Sequence, residues 1–117
     1  MIVFSDGYAR SAQAAKHGGA GEFKVETILT PEQMGKAGRL FVRGTLESGH
    51  SVGMHAHTGD MEVCYFLSGT GIVREENGVE THVQPGDCNI VPSGHAHEII
   101  NTGKDALVYL AVVLFPE

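Results

Sequence analysis

The sequence predicts an all-β fold of the jelly-roll type. From residue 37 onward, short extended runs alternate with turn residues, and no helical period of 3.6 residues continues for more than a few positions. Apolar residues make up 42% and charged residues 19% of the chain, a composition typical of a globular protein. With 117 residues, the chain is long enough for one hydrophobic core and too short for two domains.

The extended runs number eight, which is what a jelly roll requires. Asn77 and Gly78 form the strongest hairpin signal, because both residues tolerate the positive φ of a type I′ turn, and they predict an antiparallel pair on either side. The predicted strands span residues 40–46, 50–57, 62–67, 71–75, 80–83, 87–91, 97–101 and 106–115.

The first part of the chain has a different pattern, with three glycines close together. Residues 23–29 predict one further strand, and Thr30 followed by Pro31 predicts the cap and first residue of a short helical turn. We therefore expect residues 1–36 to form an N-terminal extension packed on a barrel of residues 37–117, within a single domain.

Charge and hydropathy exclude several classes of partner. The formal net charge is −6, and the Lys and Arg residues form no cluster that would bind a phosphate backbone, which argues against nucleic acid. No apolar run approaches the roughly 20 residues that cross a bilayer, and no secretory signal is visible, so a cytoplasmic location is expected. Cys64 and Cys88 belong to no CxxC pair and are expected to be reduced thiols.

Histidines point to a metal site, since the chain contains seven of them. His55 and His57 are two residues apart in a predicted strand and therefore project to the same face. Glu62 begins the next strand, and a short turn over residues 58–61 could bring it beside them. His97 lies forty residues beyond His57, after a Pro-Ser-Gly turn, and only folding can bring it to the other three.

The donor set indicates the class of metal. Neutral imidazole and carboxylate together suit Mn, Fe, Co, Ni, Cu or Zn, whereas calcium would require more oxygen ligands. We therefore expect one divalent transition metal as the cofactor. Four protein ligands on an octahedral ion would leave two positions for water, dioxygen or a bidentate ligand.

The spacing of these residues resembles the two signature motifs of the cupin superfamily, specifically of its small single-domain members. Sixteen residues separate the two motifs, close to the short connection of small microbial cupins. The first motif, G(X)5HXH(X)4E(X)6G, and the second, G(X)5PXG(X)2H(X)3N, are both matched in full, by Gly49, His55, His57, Glu62 and Gly69 and by Gly86, Pro92, Gly94, His97 and Asn101.

The resemblance implies a double-stranded β-helix barrel with the metal inside. The family's metal positions correspond here to His55, His57, Glu62 and His97, and Asn101 would be structural or adjacent to the ligands. The superfamily includes dioxygenases, decarboxylases, isomerases and lyases, and its small members usually form homodimers.

Four further residues are candidates for the pocket around the metal. Cys64 and Phe66 share strand parity with Glu62, so both should point inward, with ordinary core packing as the alternative. His95 precedes His97 by two residues and either lies at the pocket rim or is a surface turn residue. Asn101 completes this set.

The remaining polar candidates are expected to lie outside the site. His17, His50 and His82 fall outside the motifs and are expected to be structural or exposed. Arg43 and Tyr65 have outward parity, so each predicts a solvated or subunit-interface position.

Three functional hypotheses remain open from the sequence. The first is a metalloenzyme acting on a small oxygen-rich molecule such as a carboxylate or a sugar, for which no catalytic residue is assigned. The second is a metal-dependent module that binds a small molecule without turnover, and the third is a structural cupin. Outward apolar residues on strand 62–67 predict a homodimer, to which residues 1–4 could add a strand.

Overall fold

Ten strands in two antiparallel sheets make up most of this computed structural model, which describes residues 1–116. The larger sheet has the order β1-β2-β3-β10-β5-β8 and the smaller β4-β9-β6-β7. The all-β prediction is confirmed. The strands are β1 Ala9–Ala14, β2 Glu22–Leu29, β3 Gly38–Leu46, β4 Ser51–Ala56, β5 Met61–Ser68, β6 Gly71–Glu75, β7 Glu80–Val83, β8 Cys88–Val91, β9 Ala96–Ile100 and β10 Leu107–Leu114.

The predicted hairpin forms between β6 and β7, which pair antiparallel. Gly78 has a φ of 86° and donates its backbone N–H to Glu75 O, and the Asn77 side chain accepts from Val79 N. Asn77 does not share the positive φ, and Glu75 N donates to Val79 O, so residues 76–78 form a three-residue loop in place of the predicted type I′ turn. Gly78 permits this loop, because a residue with a side chain rarely adopts its positive φ.

The core lies between the two sheets and follows strand parity. On β10, Leu107, Tyr109, Ala111 and Val113 are buried because alternate residues of a strand share one face. Phe66 on β5 is fully buried and its ring centroid lies 5.4 Å from that of Tyr109.

The N-terminal extension joins the larger sheet. Strand β2 confirms the run predicted over residues 23–29, pairs with β3, and contributes Phe23 and Val25 to the core. Strand β1 was not predicted, because it is an exposed edge strand that lacks alternating apolar residues and is defined by its pairing with β2.

The predicted helical turn forms as α1, Pro31–Met34. The Thr30 hydroxyl accepts from Gln33 N, and the Gln33 side chain accepts from Thr30 N, which closes a capping box. Within residues 1–116, no helix has both the length and the apolar character that a membrane crossing would need.

Some strand ends differ from the prediction by one or two residues, because the backbone groups there form hydrogen bonds within turns and not with a neighbouring strand. His50 was predicted to begin a strand, but its backbone N–H donates to Glu47 O within the preceding turn, so β4 starts at Ser51. His57 was predicted to end the same strand and instead donates its N–H to His95 O, beyond the end of β4.

Replacing Phe66 by Ala is expected to lower the free energy of unfolding by about 3–5 kcal/mol, because it leaves a cavity in the core. Val79→Ala, at a residue that is 49% exposed, serves as the control and should change stability by less than about 0.5 kcal/mol. Urea unfolding at one fixed protein concentration measures both values. Equal losses in the two variants would contradict the assignment of the core.

Candidate metal centre

The four candidate ligands meet where the two sheets approach each other. His55 on β4 lies directly opposite His97 on β9 in the smaller sheet. Glu62 belongs to β5 of the larger sheet and projects inward with Cys64 and Phe66. Each sheet therefore contributes ligands to one point, which no single hairpin could do.

His57 is placed by the turn that follows β4. Its backbone N–H donates to His95 O at 2.9 Å, and Gly94 N donates to His57 O at 2.7 Å, which fixes the segment against the turn before β9. Gly59, with a φ of 76°, reverses the chain so that Glu62 returns beside His57.

One nitrogen of each imidazole and one carboxylate oxygen lie together in a tight group. His97 Nε2 is 2.8 Å from Glu62 Oε1 and 3.2 Å from His55 Nε2, and His57 Nε2 is 3.6 Å from Glu62 Oε1. All four ligand atoms lie within 4.8 Å of one another. Ligands about 2.1 Å from an ion and at right angles to each other are roughly 3 Å apart, so the spacing suits coordination of one ion.

Hydrogen bonds behind the rings orient the imidazoles. His55 Nδ1 is 2.8 Å from Gly53 O, and His57 Nδ1 is 2.9 Å from Asp60 Oδ1. A carbonyl and an ionised carboxylate can only accept, so both Nδ1 atoms carry the hydrogen and both Nε2 atoms present a lone pair. His97 Nδ1 lies 2.7 Å from Asn89 Oδ1, an amide oxygen that can likewise only accept, so this Nδ1 also carries a hydrogen.

This donor set fits a divalent transition metal. His57 Nε2 is buried and has no hydrogen-bond partner within residues 1–116. Lone pairs of neighbouring imidazoles and a carboxylate oxygen face one another, and a cation at their centre satisfies all of them at once.

Burial and neighbouring charges keep the ligands in the form that binds metal. Burial lowers the pKa of His55 to about 4, so its imidazole is neutral at pH 7. Burial by itself raises the pKa of Glu62, but a proton between His97 Nε2 and Glu62 Oε1 outweighs it and holds the pKa below its ordinary value. A bound metal ion would take the place of that proton. A neutral ring and an ionised carboxylate are the metal-binding forms of these side chains.

Cys64 and Phe66 both point inward, as their parity predicted, but neither lines the cavity beside the ligands. The Cys64 thiol donates to Glu62 Oε1 at 3.3 Å. Burial raises the pKa of this thiol, so it stays protonated and donates to the same carboxylate oxygen that faces His57 and His97. Phe66 packs in the core against Tyr109. Both cysteines are free.

A cavity of about 220 Å³ opens beside the ligands. His55, His57 and Glu62 form part of its wall. Apolar side chains from both sheets form much of the remainder, and four polar residues complete it: Gln13, Lys16, His17 and Arg39.

His17 was expected to lie outside the site, but it forms part of the cavity wall. Its ring stacks on His55 with centroids 4.1 Å apart. It lies in the turn Lys16–Gly18, where His17 itself has a positive φ of 51°, an unfavourable conformation for a residue with a side chain. The turn packs closely on β4, because His17 O lies so near Gly53 that a Cβ atom at position 53 would clash with it. A glycine within a strand often marks a place where another backbone segment approaches closely, so Gly53 is the one signal in the sequence that could have indicated this docking.

The other predicted candidates lie away from the cavity. His95 is exposed, its Nδ1 is 2.6 Å from Glu76 Oε1, and it lines a separate pocket whose wall also includes His97. Asn101 is buried, and its amide donates to Leu46 O and Asp105 O, which makes it a structural residue of the loop before β10.

Apart from His17, the histidines and outward residues expected to lie outside the site are found outside the cavity and outside the four candidate ligands. His50 Nδ1 accepts from Glu22 N, and His82 is exposed. Arg43 and Tyr65 are exposed on the outer face of the larger sheet.

Comparison with known proteins agrees with the motifs. The profile of the Cupin domain family matches residues 42–113, which is more than half of the chain. The chain belongs to the cupin family. This cupin is 37% identical over 114 residues to the oxalate-binding protein of Thermotoga maritima, covering 97% of this chain and 93% of that protein.

Solved cupin structures share the fold. A predicted oxalate decarboxylase from Thermotoga maritima superposes with a TM-score of 0.92 at 38% identity, covering 99% of this chain and 100% of that one. A sugar phosphate isomerase of the cupin superfamily from Silicibacter pomeroyi gives a TM-score of 0.78 at 19% identity, covering 99% and 76% of the two chains. The latter likeness concerns the fold alone. The double-stranded β-helix prediction is confirmed.

Proposed function

We propose that this cupin binds one divalent transition metal through His55, His57, Glu62 and His97, and binds a small carboxylate anion such as oxalate beside the metal. The observation that carries the proposal is the composition of the cavity, which joins the metal-binding group to two side-chain cations, Lys16 and Arg39.

The charges around the cavity favour an anion. With a divalent metal bound, the metal, Lys16 and Arg39 outweigh the carboxylates of Asp60 and Glu62 by two positive charges. A dicarboxylate dianion would neutralise this excess. Guanidinium groups also bind carboxylates through two parallel hydrogen bonds, which adds orientation to the attraction.

The size of the cavity favours a small ligand. Its volume of about 220 Å³ is below the roughly 300–1,000 Å³ of pockets that enclose drug-sized molecules. Its apolar walls, among them Val42, Val52 and Ile99, lower the local dielectric constant and so strengthen the ion pairs inside. An ion held by four protein ligands would keep two positions for the two oxygens of a chelating dicarboxylate.

The relatives support the same class of ligand. The Thermotoga maritima protein that is 37% identical over nearly the whole chain is named an oxalate-binding protein. Identity of this extent makes oxalate the first ligand to test, and the Lys16 and Arg39 cations give the physical reason.

Turnover is a second candidate, and the position of His17 favours it. Decarboxylation of oxalate breaks its C–C bond, releases carbon dioxide, and leaves formate once the remaining carbon takes up a proton. His17 can carry a proton, stacks on His55, and lies outside the group of four that would hold the metal. A solved relative at 38% identity is described as a predicted oxalate decarboxylase.

We also propose that the protein is a cytoplasmic homodimer whose subunits meet on the outer face of the larger sheet. Tyr65 and Leu67 of β5 and Ile90 of β8 project from this face and are 45%, 38% and 57% exposed. Contiguous exposed apolar side chains on a sheet are typical of an interface.

Metal loading is expected to be required for oxalate binding. After treatment with a chelator, the protein should bind oxalate in calorimetry only once Mn²⁺ has been restored. His55→Ala and His97→Ala should each lower metal occupancy at least about tenfold, measured by plasma mass spectrometry, while His82→Ala at an exposed histidine should not. Equal oxalate binding with and without metal would contradict the proposal.

Turnover is tested separately. Formate detected by NMR after incubation with oxalate would establish turnover.

The dimer is tested by sedimentation velocity. The wild-type chain should sediment as a dimer, and Ile90→Asp should shift it to a monomer because it places a charge in an apolar interface. Val79→Asp, at another exposed apolar residue on a turn, is the control and should remain dimeric. A monomeric wild type would contradict the assignment.

A further inference from the structure

A chain of hydrogen bonds leads from the cavity wall to one of the metal-binding histidines. Arg39 Nε donates to Asp60 Oδ2 at 2.8 Å, and Asp60 Oδ1 accepts from His57 Nδ1 at 2.9 Å. The arginine is the second residue of β3, and the other two residues lie in the turn after β4. Asp60 therefore uses one oxygen for the arginine and the other for the histidine.

Asp60 is held in place as a hydrogen-bond acceptor by both neighbours. Its side chain is only 8% exposed. A carboxylate oxygen accepts, so Asp60 fixes the hydrogen on His57 Nδ1 and leaves the lone pair of Nε2 for the metal.

Arg39 still has donors to offer. Its guanidinium carries five N–H donors, and within the described part of the chain Nε alone forms a hydrogen bond. The side chain is 47% exposed and lines the cavity together with His57. Its terminal nitrogens are therefore free for a ligand in the cavity while Nε holds Asp60.

We propose that Arg39 couples anion binding to metal binding: its Nε positions Asp60 and, through it, His57, while its terminal nitrogens bind the carboxylate ligand. The anion half of this proposal rests on the proposed function, whereas the metal half rests on the hydrogen bonds alone. Lys16 differs from Arg39, since it is a cation of the same cavity without a bond to Asp60.

The direction in which metal affinity changes in Arg39→Met distinguishes a positioning role of Arg39 from a purely electrostatic one. Removing a positive charge near a cation site strengthens cation binding, because it relieves Coulomb repulsion. Removing the residue that orients a ligand weakens it. Arg39→Met should therefore weaken metal binding if Arg39 is a positioning residue, and strengthen it if Arg39 acts only as a nearby charge.

The first experiment measures the Mn²⁺ affinity of the full chain without oxalate, by calorimetry. Arg39→Met and Asp60→Asn should each weaken binding about tenfold or more, and Lys16→Met should leave it unchanged or slightly tighter. In the double variant, Arg39→Met should add little to the effect of Asp60→Asn, because both act on His57 through one path. Unchanged or tighter Mn²⁺ binding in Arg39→Met would overturn the proposal.

A second readout protects the test against simple unfolding. Long-range ¹H–¹⁵N spectra of the metal-free protein report which nitrogen of His57 carries the hydrogen. Wild type should show Nδ1–H, and Arg39→Met should shift His57 toward a mixture while thermal unfolding stays cooperative. Arg39→Lys keeps the charge without the planar fork and should weaken Mn²⁺ less than Arg39→Met. A His57 tautomer that does not respond in Arg39→Met would count against positioning.

The anion arm uses oxalate with saturating Mn²⁺. Both Arg39→Met and Lys16→Met should weaken oxalate binding, whereas Mn²⁺ affinity should fall in Arg39→Met alone. Full oxalate affinity in Arg39→Met would overturn the coupling. If the Mn²⁺-loaded wild type binds no oxalate, the proposed function and the anion half fail together, and the Mn²⁺ affinities still decide whether Arg39 positions His57.

Discussion

The convergence of three imidazole nitrogens and one carboxylate at the junction of two sheets is the constraint on which the rest of the site depends. Lone pairs that face one another across about 3 Å repel unless a cation or a proton lies between them. His57 Nε2 is buried and has no hydrogen-bond partner within residues 1–116, so the folded chain by itself leaves this atom unsatisfied. A divalent metal ion would accept the lone pairs of all four ligand atoms.

The surroundings are arranged to keep that geometry. Gly53 O, Asp60 and Asn89 each lie behind one imidazole ring and orient it, and the Cys64 thiol donates to the Glu62 carboxylate. Rings held in this way lose little freedom when an ion binds, so less of the binding free energy is spent on ordering them. The cations Lys16 and Arg39 and the apolar walls of the cavity favour the approach of small anions to the ion.

Much of the fold could be predicted from the sequence, because strand alternation and turn glycines are local signals. The spacing of His55, His57, Glu62 and His97 likewise predicted the group that folding brings together. The edge strand β1 could not be predicted, since an exposed strand needs no apolar alternation and is defined by its partner. His17 and Arg39 were missed because their places in the cavity arise from tertiary docking of the N-terminal turn and from packing of β3.

Anomalous diffraction from crystals of the metal-loaded protein tests the central claim most directly. The account predicts one anomalous peak at the absorption edge of the bound metal, about 2.0–2.2 Å from Nε2 of His55, His57 and His97 and from a carboxylate oxygen of Glu62. A peak elsewhere in the molecule, or a structure saturated with metal in which these four atoms hold none, would contradict it.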